Sequence, residues 1–163
     1  MSDFVFYLQL KPFVRQYYVH HYGEPVRFEP GSVSNSKIIS VLNIKRGEDQ
    51  EEEKQDGSLA FAIPTTKQKD PKYWNYITPH GKSFIIQHLE AVMLSNLWTE
   101  MEQMCSDDSQ LQQAAYAWCE MHGISLDYAD TIRMKYYREK KKFLSRGIDL
   151  RNKTRKRNHI KKF

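Results

Sequence analysis

The residues best suited to chemistry in this chain are cations. Arg133, Lys135, Arg138, Lys140, Lys141, Lys142 and Arg146 crowd one stretch, and Arg151, Lys153, Arg155, Lys156 and Arg157 follow it. Lysine and arginine at this density neutralise phosphates and release counterions, so the pattern points to a polyanion. Residues 133–163 hold fourteen Lys and Arg against Glu139 and Asp149, a net charge of +12, whereas residues 1–132 carry −7. A solvated basic tail with no partner would have the same composition. The segregation of charge onto one end favours the polyanion.

Other chemistries find less support. There is no glycine-rich phosphate loop, no H-E-x-x-H, no Cys-x-x-Cys and no G-x-S-x-G. Cys119, His122 and Cys105 offer three metal-ligand types, but a structural zinc site wants a fourth at a finger-like spacing, and cysteine is often a small buried residue. His20 and His21 beside Tyr17 and Tyr18 could suggest a metal-assisted nickase. Adjacent helical residues point about 100° apart, which argues against two histidines on one metal. The reading is therefore non-enzymatic, with no metal and no cofactor.

The stretch Ser109–Lys142 gives the cations their setting. It reads as a helix to His122, a tight turn at Gly123, and a second helix that grows more basic along its length. Cys119, four residues before Gly123, is small enough for two helices to touch. Ile124 can plug the space between them, and Ala129 and Ile132, six and nine residues past the glycine, are apolar. On these residues the stretch resembles a helix-turn-helix, with a bulky Trp118 and a small Ala129 as departures. That resemblance makes Ser125–Tyr137 the recognition helix. It brings Ser125, Tyr128, Thr131 and Arg133 to base edges, and Lys135, Arg138, Lys140, Lys141, Lys142, Arg146 and the tail to phosphates. The whole chain also resembles small proteins of bacterial prophages and mobile elements, some of which end in a similar basic helix.

The remaining elements must carry this unit. Phe4–Leu10 reads as a strand, Pro12 opens a helix that runs to Tyr22, and residues 25–30 read as an edge strand between prolines. A turn over residues 31–35 leads to a short helix, Ser36–Leu42, capped by Ser34 or Asn35. Residues 47–57 contain no apolar residue and many acids, and read as a solvated loop. Ser58–Pro64 is a third strand. Residues 70–78 form a connector whose Tyr73, Trp74 and Tyr76 cover the core rather than stack on bases. Pro79–Met104 is a long central helix, with Ile85, Leu89, Val92, Met93, Leu97, Met101 and Met104 on its apolar stripe.

The expected fold is α+β. A strand-containing module over residues 1–78 includes the acidic loop, a three-helix, helix-turn-helix-like unit covers residues 79–146, and a basic tail covers residues 147–163. No apolar run approaches the roughly 20 residues of a membrane span, and two cysteines make no disulfide framework, so a cytoplasmic protein is expected. The function expected is DNA binding by a regulator or accessory factor of a mobile element. Dimerisation or a protein partner would use the N-terminal module. The alternative is an assembly protein of a phage or ribonucleoprotein particle that places its basic tail on a polyanion.

Overall fold

The computed structural model describes residues 4–47, 52–105 and 107–146. The protein is a mixed α+β structure, with strands in its first half and helices dominating its second. It divides into two compact units within one long helix, between Met93 and Leu94. The sequence pattern marks a boundary at the start of that helix, at Pro79.

In the first unit, β1 (Val5–Leu8) is followed by α1 (Pro12–Tyr22), which starts at a proline as expected and ends at Gly23 with φ 75°. Phe13, Val14, Tyr17 and Tyr18 form its buried face, while His20 and His21 are exposed. Residues 25–30 do not form the edge strand expected of them. Only Val26 pairs, as a single parallel bridge to Phe61, because the flanking prolines leave no run of amides for a ladder. Helix α2 (Val33–Val41) begins earlier than the pattern suggested. Its cap is Ser32, whose side chain accepts from the Asn35 amide, so Ser34 and Asn35 lie inside the helix rather than before it.

Two strands complete the unit in a way the sequence did not announce. β2 (Asn43–Ile44) pairs antiparallel with β4 (Trp74–Tyr76), so the expected aromatic connector is partly a strand. β3 (Leu59–Ala62) pairs antiparallel with β1, with Phe6 opposite Phe61, and all four of its residues are buried. The core gathers Phe6, Leu8, Val14, Tyr18, Val26, Ile38, Leu59, Phe61 and Leu89. The Tyr18 hydroxyl donates to the Leu89 carbonyl at 2.6 Å, which satisfies the one polar atom of a buried ring.

Helix α3 (Pro79–Met104) contributes Pro79–Met93 to this unit and its last turns to the second. Along it Ile85, Leu89, Met93, Leu97 and Met101 are fully buried, while Val92 and Met104 are half-buried at the stripe's edge. In the second unit Asp107 caps the next turn by accepting from the Ser109 amide. A short 3₁₀ turn, Asp108–Gln110, then leads into α4 (Leu111–Met121). Leu111, Ala114, Ala115, Trp118 and Cys119 are its buried residues. A second 3₁₀ turn, Leu126–Tyr128, precedes α5 (Ala129–Ser145). No helix among the described residues is long and apolar enough to cross a membrane.

Candidate nucleic-acid interface

The exit from α4 is fixed by backbone chemistry. Gly123 sits at φ 66°, the Ile124 amide donates back to Cys119 at 2.9 Å, and the Gly123 amide reaches Glu120 at 3.4 Å. This pair of bonds closes a helix through a glycine in the left-handed region, and Ile124 just after it is buried. Ser125 then caps the following turn by accepting from the Asp127 amide. Helix, glycine turn and helix are thus present where the spacing placed them. The second helix begins with a 3₁₀ turn rather than at Ser125.

At 100° per residue, Ala129, Ile132, Tyr136, Lys140 and Phe143 share an arc of roughly 80° on α5. All but Phe143 are buried, and Phe143 is half-buried against Trp98, with rings 4.7 Å apart. Lys135, Arg138, Lys141, Lys142 and Arg146 occupy an arc of roughly 140° on the other side. Arg138, Lys141, Lys142 and Arg146 are exposed, and Lys135 is half-buried. Lys141 lies over the Tyr137 ring at 4.9 Å, and Lys142 pairs with Glu139 at 2.9 Å. Tyr136 is core and Tyr137 is exposed.

Lys140 departs from the expectation. Its side chain is only 7% exposed and its ammonium bonds the Asp108 carboxylate, so it does not join Lys141 and Lys142 on the exposed face. Its position at the edge of the apolar arc buries the stem, and a buried ammonium needs a carboxylate partner. The residues assigned to base edges differ in their exposure and in what engages them. Ser125 is engaged as a cap, with its hydroxyl also 3.2 Å from the Asp127 carboxylate. Tyr128 is half-buried and Thr131 is exposed. Arg133 is half-buried, with its Nε 3.5 Å from Asp130. Asp127 and Asp130, both exposed, put negative charge at the end of α5 that would have to meet DNA. Arg151, Lys153, Arg155, Lys156 and Arg157 lie outside the described residues.

The face is held by carboxylates that the sequence reading missed. Glu100 on α3 accepts from the Trp118 indole at 2.6 Å and lies 2.5 Å from His122 Nε2, while Glu102 accepts from the buried Tyr136 hydroxyl. A signal for them existed. Trp118 and Tyr136 fall on apolar stripes yet carry polar hydrogens, so a nearby helix must supply acceptors. Cys105 and Cys119 are buried thiols, and burial pushes Cys119 up to about 11. Among the described residues no group of three His, Cys, Asp or Glu is placed to hold a metal. In the first unit, Ser34 Oγ lies 3.0 Å from His88 Nε2, where burial and then Lys37 hold the imidazole below its ordinary pKa. Among the described residues no carboxylate orients that ring from its other side, as a hydrolytic triad would require. Comparisons with protein-family models, curated proteins and solved structures find no match for the chain.

Proposed function

We propose that this protein binds nucleic acid, duplex DNA in the first instance, through the exposed basic face of α5, and that it acts by binding rather than catalysis. The observation that carries this reading is the arc of Lys135, Arg138, Lys141, Lys142 and Arg146 opposite the buried stripe of the same helix. A rigid row of cations along one helix tracks a phosphate backbone, and the sequence continues it with seven further Lys and Arg beyond Arg146. The recognition is of phosphates more than of bases. Ser125 is occupied as a cap, and Asp127 and Asp130 repel the backbone where a recognition helix would enter a groove.

The test is the salt dependence of binding to random-sequence duplex DNA, read by fluorescence anisotropy. Replacing Lys135, Arg138, Lys141 and Arg146 together with alanine lowers affinity and reduces the slope of log K against log salt by roughly 3–4, at about 0.9 per lost phosphate contact. Arg133→Ala leaves that slope nearly unchanged. An unaltered slope in the fourfold variant, with its helical circular dichroism intact, rules the interface out. A second reading, an assembly protein that seats α5 on an acidic protein surface, draws on Met134, Tyr137 and Leu144, which are exposed among the cations. Strong DNA affinity that is indifferent to Met134→Ser and Leu144→Ser counts against it.

A further inference from the structure

The solvent side of α5 is not uniform. Met134, Tyr137 and Leu144 are exposed on it, and with Lys141 they recur at steps of three, four and three residues. That spacing is the seam of a coiled coil, with Met134 and Lys141 at one seam position and Tyr137 and Leu144 at the other. At 100° per residue the helix then carries three faces whose centres stand about 120° apart. The first is the buried face of Ala129, Ile132, Tyr136, Lys140 and Phe143. The second is the seam, and the third is the basic strip of Arg138, Lys142 and Arg146.

The seam is complementary to itself only in reverse. In a parallel pair Lys141 meets the partner's Lys141, and two like charges are desolvated together. In an antiparallel pair centred on Glu139, Met134 lies across from the partner's Leu144, and Tyr137 lies across from the partner's Lys141. The contact that Lys141 makes over Tyr137 at 4.9 Å is then made between copies. Arg133 and Lys140 flank the seam away from the basic strip, where Asp130 and Asp108 already neutralise them. We propose, on the nucleic-acid reading above, that the occupant of the seam is a second copy of this chain, paired antiparallel through α5 on the same polyanion. Symmetry supplies the reason. The two-fold axis of an antiparallel pair stands perpendicular to the plane of the two helices, so a strip above that plane stays above it in the partner. The basic strips of both copies form one surface, and the buried faces, turned 120° the other way, keep the rest of each second unit on the opposite side. In a parallel pair the axis runs along the helices and turns the two strips to opposite sides. The contact is small, roughly 15 Å of helix about 10 Å wide, which is far below the roughly 800 Å² per partner of a stable dimer. The charge of +12 on residues 133–163 also holds free copies apart. A phosphate backbone removes that repulsion and concentrates the copies, so pairing belongs to the bound state.

The test uses the full-length protein and a random-sequence duplex of roughly 20 base pairs, long enough at about 3.4 Å per base pair for two copies. Gel mobility separates complexes holding one copy from those holding two. The second copy binds on the order of tenfold more tightly than independent binding allows. Tyr137→Ser combined with Leu144→Ser abolishes that factor and leaves the affinity of the first copy unchanged. Both side chains are exposed, so the fold survives, which circular dichroism checks. Crosslinking reads the direction. Met134→Cys and Leu144→Cys proteins, mixed on the duplex and oxidised, form a disulfide-linked dimer, and neither forms one alone. Cys105 and Cys119 are buried and stay out of this reaction. Copies that bind independently, or cooperativity that survives the double substitution, would overturn the pairing and leave the nucleic-acid reading intact. A linked dimer formed by Met134→Cys alone would overturn the antiparallel arrangement. No binding by the unaltered protein would overturn the nucleic-acid reading and the pairing with it.

Discussion

At the scale of single residues, the second unit depends on carboxylates that bond buried polar hydrogens. Glu100 holds both the Trp118 indole and His122, and both rings are buried. Glu100→Ala strands the indole N–H in a site with no exposure, which costs roughly 1–3 kcal/mol for an unsatisfied buried donor. Glu100→Gln keeps an acceptor for Trp118 and costs less. Urea unfolding of the two variants separates the effects, and equal losses would mean that the charge, not the acceptor, matters. His88 gives the first unit a different sensitivity. Burial and then Lys37 favour its neutral form, so the folded protein takes up a proton less readily than the unfolded chain. Stability from this site is complete above the ordinary histidine value of 6.5 and is lost as pH falls through the lower folded value. His88→Gln therefore flattens the fall of Tm on mild acidification. It leaves the steeper loss in the carboxylate range, to which Glu24 contributes: burial works against that carboxylate, but the Ala60 amide, Lys54 and Arg15 outweigh it and hold it below its usual value. An unchanged Tm profile from pH 7 to 5, a span of about one histidine titration, would remove His88 from the account.

At the scale of elements, what could be read from the sequence was whatever is periodic or locally capped. The stripe of α3, the inward set of α4 and the Ala129, Ile132, Tyr136 face of α5 all follow from spacing, because each helix buries one face whatever lies against it. The strand pair β2–β4 was not legible. Two- and three-residue strands are too short to show alternation, and their pairing joins residues some thirty apart. Lys140 was misplaced for a related reason: its partner Asp108 lies in the 3₁₀ turn before α4, 32 residues earlier, and only the folded unit brings them together. The basic face of α5 was thus legible as a composition and a helix, while its membership had to come from tertiary contacts. The glycine turn is the element whose sequence signal was strongest, and it carries its own prediction. Gly123→Ala forces a side chain into the left-handed region at φ 66°, at a cost of roughly 1–2 kcal/mol. Thermal unfolding should show this loss, and Gly123→Asn, which tolerates that region better, should recover part of it. Full stability of the alanine variant would mean that the turn relaxes without penalty.

At the scale of the whole molecule, the charge of +12 on residues 133–163 against −7 on the rest is the feature that any partner meets first. Half of the fourteen cations in that segment precede Gly147 and half follow it, so composition alone does not say which half binds. The structure favours a definite split. Lys140 is withdrawn into the fold, Lys142 shares its charge with Glu139, and Arg133 shares its charge with Asp130. The helix therefore contributes fewer effective cations than its sequence suggests, but it presents Lys135, Arg138, Lys141 and Arg146 on one folded face. A chain ending at Arg146 should keep measurable affinity for duplex DNA with a salt slope of about −3 to −4, at roughly 0.9 per phosphate contact, and the full-length protein should show a steeper one. A slope near zero for the shortened chain would move the binding site entirely beyond Arg146. The helix–glycine–helix unit would then be a packed hairpin whose charges are merely solvated. A slope equal to that of the full-length protein would make α5 the whole site and the later cations bystanders. The intermediate value is expected because phosphate contacts of this kind add nearly independently, each releasing its own counterion, whether the cation stands on a helix or follows it.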